Sequence, residues 1–81
     1  MTSAQFLVGF ARALRRARLK KGLTQEAVAE AARVHPTYVS RVETGAYTPT
    51  ISVAFRLSQA VGISLSSLVR EAEDRSAAKG R

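Results

Sequence analysis

The sequence predicts an all-α fold, a compact bundle of five helices in a single domain. Apolar residues recur at intervals of three and four, which is the spacing of one helix face, and no alternation is long enough to indicate a strand. Glycine or proline stands at most junctions between the helical segments. The chain has 81 residues and no cysteine, so its stability has to come from packing, without a disulfide or a thiolate metal site.

The first helix is predicted from about residue 4 to residue 21. Gly22 follows as the residue that ends it, because glycine adopts the left-handed conformation at low cost. The inward face is predicted to hold four residues at helical spacing, Phe6, Phe10, Leu14 and Ala17. The outward face carries a basic series, Arg12, Arg15 and Arg16.

The second and third helices are predicted to be short. Thr24 caps the second, which ends near Ala32 or Arg33 and has a small inner face of Val28, Ala29 and Ala32. The third begins at Pro36 with His35 as its N-cap, turns Val39 and Val42 inward, and is ended by Gly45. Only about two residues separate these helices, so they must cross steeply, in helix-turn-helix geometry.

The fourth and fifth helices complete the predicted bundle. Thr50 or Ser52 caps the fourth, after Pro49, and the helix runs to residue 61. Its predicted inward residues are Ile51, Ala54, Leu57 and Val61. Ser64 caps the fifth helix, which carries Leu65, Leu68 and Val69. Residues 1–74 are expected to form the domain, and residues 75–81 a polar C-terminal tail that frays after about residue 74.

The net charge of the sequence limits the classes of partner that are expected. Thirteen lysine and arginine residues against six aspartate and glutamate residues give a net charge of +7, and six of the basic residues lie between residues 12 and 21. This excess favours nucleic acid or an anionic membrane surface, although a basic run is also ordinary on a solvated helix face. No apolar run approaches the roughly 18 residues of a membrane span, and no signal peptide is recognisable, so a cytoplasmic location is expected.

A set of short motifs then covers most of the chain in a fixed order. They are Arg18, residues 21–25 (KGLTQ), Val28-Ala29, residues 38–43 (YVSRVE) with Gly45, and Pro49 with Leu57 and Gly62. Through them, residues 10–68 resemble the phage repressor and Cro-type (XRE-like) helix-turn-helix DNA-binding family. The resemblance implies a repressor-like bundle that binds double-stranded DNA and is nucleoid-associated. Because one helix-turn-helix of this size reads only a few base pairs, a symmetric homodimer on a palindromic operator is expected. Members include repressors, restriction-modification controllers and antitoxins.

Three positions depart from the family pattern. Arg33 stands in the turn where glycine is frequent, so it must either accept a strained backbone or shape the turn differently. His35 replaces the more usual serine or threonine cap, and Pro36 stands where a side-chain donor is common. These departures bear on which bases are read.

The third helix, residues 36–44, is the expected recognition helix in the major groove. Thr37, Arg41 and Thr44 are spaced to form one outward stripe. Arg41 is the first candidate for reading a base, because its fork matches the O6 and N7 acceptors of guanine, although a phosphate contact is the alternative. Thr37, Pro36 and Ser40 are the other base-reading candidates.

Other polar residues are expected to contact phosphates and set the position of the protein on DNA. They are Gln25, Tyr38, Thr44, Tyr47, Thr48, Arg15 and Arg16. For Gln25 the role is the one that the resemblance implies. Tyr38 has the alternative of covering the edge of the core, and Tyr47 that of packing on the fourth helix.

Two further sets of residues have structural roles. A lone carboxylate at Glu43 would be costly beside the inner valines, and the resemblance implies a salt bridge between Glu43 and Arg18. A dimer interface is expected at Val53, Phe55, Leu65 and Val69. The alternative is that these residues complete the core of the monomer.

Other classes of function are less well supported by the sequence. No acid pair, nucleophile with a base, or phosphate-binding glycine loop is present, so neither an enzyme nor a cofactor is predicted. His35 is the single histidine and is interpreted as a cap or phosphate neighbour, with no metal site. A protein-interaction module on the same fold and a membrane-surface protein remain as alternatives.

Overall fold

The computed structural model describes the backbone of residues 1–79 and the side chains of residues 1–75, and this part of the chain forms five helices and no strand. The helices are α1 (Ser3–Lys20), α2 (Gln25–Ala32), α3 (Pro36–Glu43), α4 (Ile51–Ala60) and α5 (Leu65–Lys79). The predicted all-α bundle with its helix-turn-helix is confirmed. The first four helices agree with the predicted ranges to within a residue or two at each end.

Helix α5 extends to Lys79, past residue 74, after which the tail was expected to fray. Residues 77 and 78 are alanines, the residue type with the highest helix propensity. Whether residues 75–81 fray stays a prediction, and Gly80 and Arg81 lie outside the described residues.

All five helices contribute to one core. Its best-buried large side chains are Leu14, Val28, Val39, Val42, Leu57 and Leu68. Phe6, Ala17, Val34 and Leu65 are partly buried and pack against this core. The prediction that Ile51 faces inward was wrong, because the residue is 82% exposed. Ile51 begins α4 directly after an exposed loop. Its side chain therefore has no packing partner among the described residues, although its position fits the apolar spacing of the helix.

Helices α1 and α5 approach each other closely at Gly9. A Cβ atom at this position would lie 2.7 Å from the carbonyl oxygen of Ala72, which is closer than real Cβ atoms come to a backbone oxygen. Gly9 and Ala72 are both buried. The absence of a side chain at Gly9 therefore sets the distance between the two helices.

Side-chain caps fix where the central helices begin. Thr24 accepts a hydrogen bond from the backbone N–H of Ala27 at 3.0 Å. His35 Nδ1 accepts one from the N–H of Thr37 at 3.1 Å, which gives the single histidine its predicted capping role. Of the two caps considered for α4, Thr50 is the one used, since its hydroxyl accepts from the N–H of Val53.

Arg33 provides the turn between α2 and α3. Its backbone is left-handed, with φ of 61° and ψ of 46°. The N–H of Arg33 donates to the oxygen of Glu30 and the N–H of Val34 to that of Ala29, which is the hydrogen-bond pattern of a Schellman motif. Of the two possibilities left open by the sequence, the chain keeps the turn that glycine usually makes and places a strained arginine in it.

Candidate nucleic-acid interface

The outer stripe of α3 consists of exposed polar residues. Thr37, Arg41 and Thr44 are exposed, while Pro36 and Ser40 are half-buried on its edges. The opposite face of the helix is packed into the core, where Val39 is 0% and Val42 is 1% exposed. The buried face therefore holds α3 in place, while the outer stripe remains accessible to a partner.

A buried ion pair joins α3 to α1. The Nε of Arg18 donates to Oε2 of Glu43 at 2.7 Å, and its Nη2 donates to Oε1 at 2.9 Å. The remaining Nη1 donates to the carbonyl oxygen of Leu23 at 2.9 Å. The side chains are 9% and 2% exposed, and the hydrogen bonds to Glu43 raise the pKa of Arg18 against the opposing effect of its burial. This fork-to-fork geometry gives α3 a defined orientation.

Gln25 is attached to the same ion pair. Its Nε2 donates to Oε1 of Glu43 at 3.2 Å, so the first residue of α2 is linked to the last residue of α3. The amide keeps a second N–H and its carbonyl oxygen for another partner. The sequence pattern gave no indication of this bond, because it depends on how the two helices cross.

The end of α3 turns the chain back onto Arg41. Gly45 has a φ of 81°, a left-handed conformation that glycine adopts without strain. The carbonyl oxygen of Arg41 accepts hydrogen bonds from the N–H of Ala46 at 2.8 Å and of Tyr47 at 3.2 Å. It also accepts one from the hydroxyl of Thr44 at 3.1 Å. Three donors from the turn therefore bind one carbonyl oxygen, that of Arg41 in the outer stripe.

Tyr47 packs against residues of α3. The guanidinium carbon of Arg41 lies 5.5 Å from the centroid of its ring, and the ring of Tyr38 lies 5.6 Å away at an interplanar angle of 52°. Tyr38 is half-buried and packs against the core, as one of its two interpretations required. The contact between Arg41 and Tyr47 was not expected from the sequence.

The basic side chains on the outward face of α1 are exposed. Arg12, Arg15, Arg16 and Lys20 are exposed there and line an open groove together with Leu19 and Arg75. Arg16 Nη1 lies 3.4 Å from Oε1 of Glu71. Arg16 precedes the buried Arg18 by two residues, which is about 200° around the helix, so it faces α5 and points away from α3.

The four residues predicted for a dimer interface differ in exposure. Val53 and Leu65 are partly buried and pack against the core, and Val69 is partly buried. Phe55 is 53% exposed and does not complete the core of the monomer. Ile51, one turn earlier on α4, extends the apolar surface around Phe55.

The described part of the chain offers neither a metal site nor a single membrane-spanning helix. No group of three histidine, aspartate or glutamate side chains there could hold a metal ion. No single described helix is long and apolar enough to cross a membrane. The segments Ile51–Ala60 and Leu65–Arg75 reach that length and hydropathy only together, and they are bent by 102°.

The consecutive helices α2 and α3, joined by a short turn at Arg33, define a helix-turn-helix domain of the DNA-binding class, in which the outer stripe of α3 is exposed and its opposite face is buried. Residues 14–68 match the helix-turn-helix family HTH_3, and the chain belongs to this family, of XRE (Cro/C1) type. The resemblance that the sequence motifs indicated is confirmed.

Relatives in this family are named as regulators. The chain is 37% identical over 49 residues to YqaF, an uncharacterized HTH-type transcriptional regulator of Bacillus subtilis (strain 168). This match covers 60% of the chain and 64% of YqaF, slightly less than two thirds of that relative's length.

Solved structures show the same fold. The clp gene regulator ClgR from Corynebacterium glutamicum superposes with a TM-score of 0.88 and 31% identity, over 93% of this chain and 80% of that one. The restriction-modification controller protein C.AhdI from Aeromonas hydrophila has a TM-score of 0.74 and 34% identity, over 76% of this chain and 94% of that one. By name, ClgR is a gene regulator and C.AhdI is a restriction-modification controller.

Proposed function

We propose that this protein is a homodimeric transcription regulator that binds a palindromic operator in double-stranded DNA. The observation that carries the proposal is the exposed stripe of Thr37, Arg41 and Thr44 on a helix whose other face is buried. The major groove of B-DNA admits one α-helix and presents a distinct pattern of donors and acceptors for each base pair. A helix held rigidly from behind can read that pattern with few side chains.

Arg41 is the principal base-reading residue in this proposal. Its guanidinium donates to none of the acceptors in the described part of the chain, so its N–H groups remain available for the O6 and N7 atoms of guanine. Thr37 offers a methyl group or a hydroxyl at the start of α3. Pro36 and Ser40 are half-buried and can make shallower contacts at the edges of the stripe.

Phosphate contacts would place the helix in the groove. The free N–H of Gln25 and the hydroxyl of Tyr38 are candidates on one side, and Thr44, Tyr47 and Thr48 are candidates beyond the end of α3. Arg15 is exposed and can contribute directly. We assign Arg16 mainly to long-range attraction, because it pairs with Glu71 on α5.

A dimer follows from the size of the reading surface. One recognition helix contacts only a few base pairs, and specific sites are read by two copies spaced about 34 Å apart. We place the interface on the exposed apolar surface of Ile51 and Phe55, with Val53, Leu65 and Val69 at its border. This differs from the interface expected from the sequence by the addition of Ile51.

In this proposal the protein binds nucleoid DNA in the cytoplasm. It needs no cofactor and catalyses no reaction. The same geometry serves a repressor, a restriction-modification controller or an antitoxin-type controller. Each of these uses begins with specific operator binding, and that step is the one to test.

Selection from a pool of random duplexes, with sequencing of the bound fraction at several salt concentrations, tests the proposal. We expect a two-fold symmetric consensus and an affinity that falls steeply with salt, because each neutralised phosphate releases counterions. Weak, unselective binding at low salt would contradict the proposal. It would favour a protein-interaction module on the same fold.

A further inference from the structure

Arg41 and Tyr47 are joined through both backbone and side chain. The N–H of Tyr47 donates to the carbonyl oxygen of Arg41, and the guanidinium of Arg41 lies over the ring of Tyr47. The left-handed turn at Gly45 brings the two residues together, because it reverses the chain directly after α3. The contact is therefore a consequence of how this helix ends.

The ring of Tyr47 has its own support. It packs against Tyr38 at a centroid distance of 5.6 Å, and Tyr38 packs in turn against the hydrophobic core. Tyr47 itself is 45% exposed, so one face of its ring remains accessible to Arg41 at the protein surface. A continuous series of contacts thus runs from the core through two aromatic rings to the guanidinium.

We propose that Tyr47 is a positioning residue that sets the base preference of Arg41. This inference rests on the proposed function, since it requires Arg41 to read a base. An exposed arginine otherwise samples many rotamers, and this freedom is lost when it binds. The aromatic ring attracts the cation through its face and uses none of the N–H donors. The fork is thereby oriented in advance and stays free for guanine.

Tyr47 was expected from the sequence to contact a phosphate, and the two roles predict different results. A phosphate contact is made by the hydroxyl, so it strengthens binding to all sequences alike. A positioning role is performed by the ring, so it changes the ratio of affinities between the preferred base pair and its substitutes. The hydroxyl is then dispensable.

The test measures binding of the full chain to its selected operator and to operators that carry the other base pairs at the position read by Arg41. Tyr47→Phe keeps the ring and removes the hydroxyl, whereas Tyr47→Leu keeps an apolar contact with Tyr38 and removes the ring. Thr48→Ala removes another proposed phosphate contact in the same loop, so it is the reference for a uniform loss of affinity that leaves the base preference unchanged. Thermal unfolding checks that each variant is folded.

We expect Tyr47→Phe to retain the base preference and Tyr47→Leu to reduce it by about two- to fivefold, the effect of a cation–π contact at an exposed site. In the Arg41→Ala background, Tyr47→Leu should have no further effect on the preference. A uniform loss of affinity in both Tyr47 variants, with the preference unchanged, would overturn the inference and leave the proposed function intact. Failure of the proposed function would appear separately, as a wild-type protein without any consensus.

Discussion

At the scale of single residues, Arg33 adopts an unfavourable backbone conformation at the centre of the DNA-binding motif. Its φ of 61° costs a non-glycine residue about 1 kcal/mol. We expect Arg33→Gly to raise the free energy of unfolding by about 0.5–1 kcal/mol, as measured by chemical denaturation. Arg33→Ala removes the same charge and keeps the strain, so it should leave the stability nearly unchanged. A glycine variant that is less stable than the alanine variant would contradict this account.

The Arg18–Glu43 pair predicts a second effect on stability. Replacing either residue by an uncharged one leaves the other charge buried without its partner, which should lower the free energy of unfolding by about 3 kcal/mol or more. Because Glu43 raises the pKa of Arg18, the arginine's contribution is present at ordinary pH and is lost only in strongly alkaline solution.

A double-mutant cycle with Arg18→Met and Glu43→Gln measures the coupling within this pair. The double variant should lose much less than the sum of the two single variants, since neither charge is then left alone. Additive losses would show that the two side chains do not act as a pair.

The sequence predicted the outward stripe at this scale but not the contacts that orient it. Helical spacing is enough to place Thr37 and Arg41 on one face of α3. The stacking of Arg41 on Tyr47 depends on the direction that the chain takes after Gly45. The bond from Gln25 to Glu43 depends on the crossing of two helices, which spacing within one helix does not give.

At the scale of elements, the packing of α1 on α5 depends on the missing side chain at Gly9. Gly9→Ala should destabilise the protein by about 1–3 kcal/mol, although alanine favours helices, because the new methyl group meets the backbone of Ala72. Thermal unfolding measures the change. The neighbouring Val8 is 43% exposed, and Val8→Ala should alter stability by no more than about 0.5 kcal/mol. A gain in stability for Gly9→Ala would contradict the close helix contact.

Helix starts were predictable from the sequence because caps are local. Thr24, His35 and Thr50 each accept a hydrogen bond from a backbone N–H two or three residues later. The prediction that Ile51 faces inward failed because burial depends on a neighbouring element. The apolar spacing of α4 starts at Ile51, but the helix becomes packed only further along. Gly9 was not recognised as a contact point, since nothing in α1 alone indicates the approach of α5.

At the scale of the whole molecule, the proposed dimer depends on the apolar surface of α4. Phe55→Glu places a charge at its centre and should give a folded monomer with reduced affinity for a palindromic operator. Sedimentation measures the assembly state, and circular dichroism measures the fold. Val8→Glu makes the same kind of change at a similarly exposed position of α1 and should leave the dimer intact. A Phe55→Glu variant that remains dimeric would place the interface elsewhere.

At this scale the excess of basic residues could be predicted from the sequence, but the directions in which their side chains point could not. The net charge of +7 is a property of composition, and by itself it indicates a polyanionic partner. Composition does not show that Arg16 faces α5 while Arg18 lies buried against α3. Those directions depend on the arrangement of the helices around α1.

The most direct test of the central claim compares the base preferences of the wild-type protein and Arg41→Ala, selected from the same pool of random duplexes. The claim predicts that the variant loses its preference at one base pair of each half-site, about tenfold or more, and keeps the remaining consensus. An unchanged consensus with uniformly weaker binding would show that Arg41 contacts a phosphate. The exposed stripe of α3 would then not read sequence through this residue.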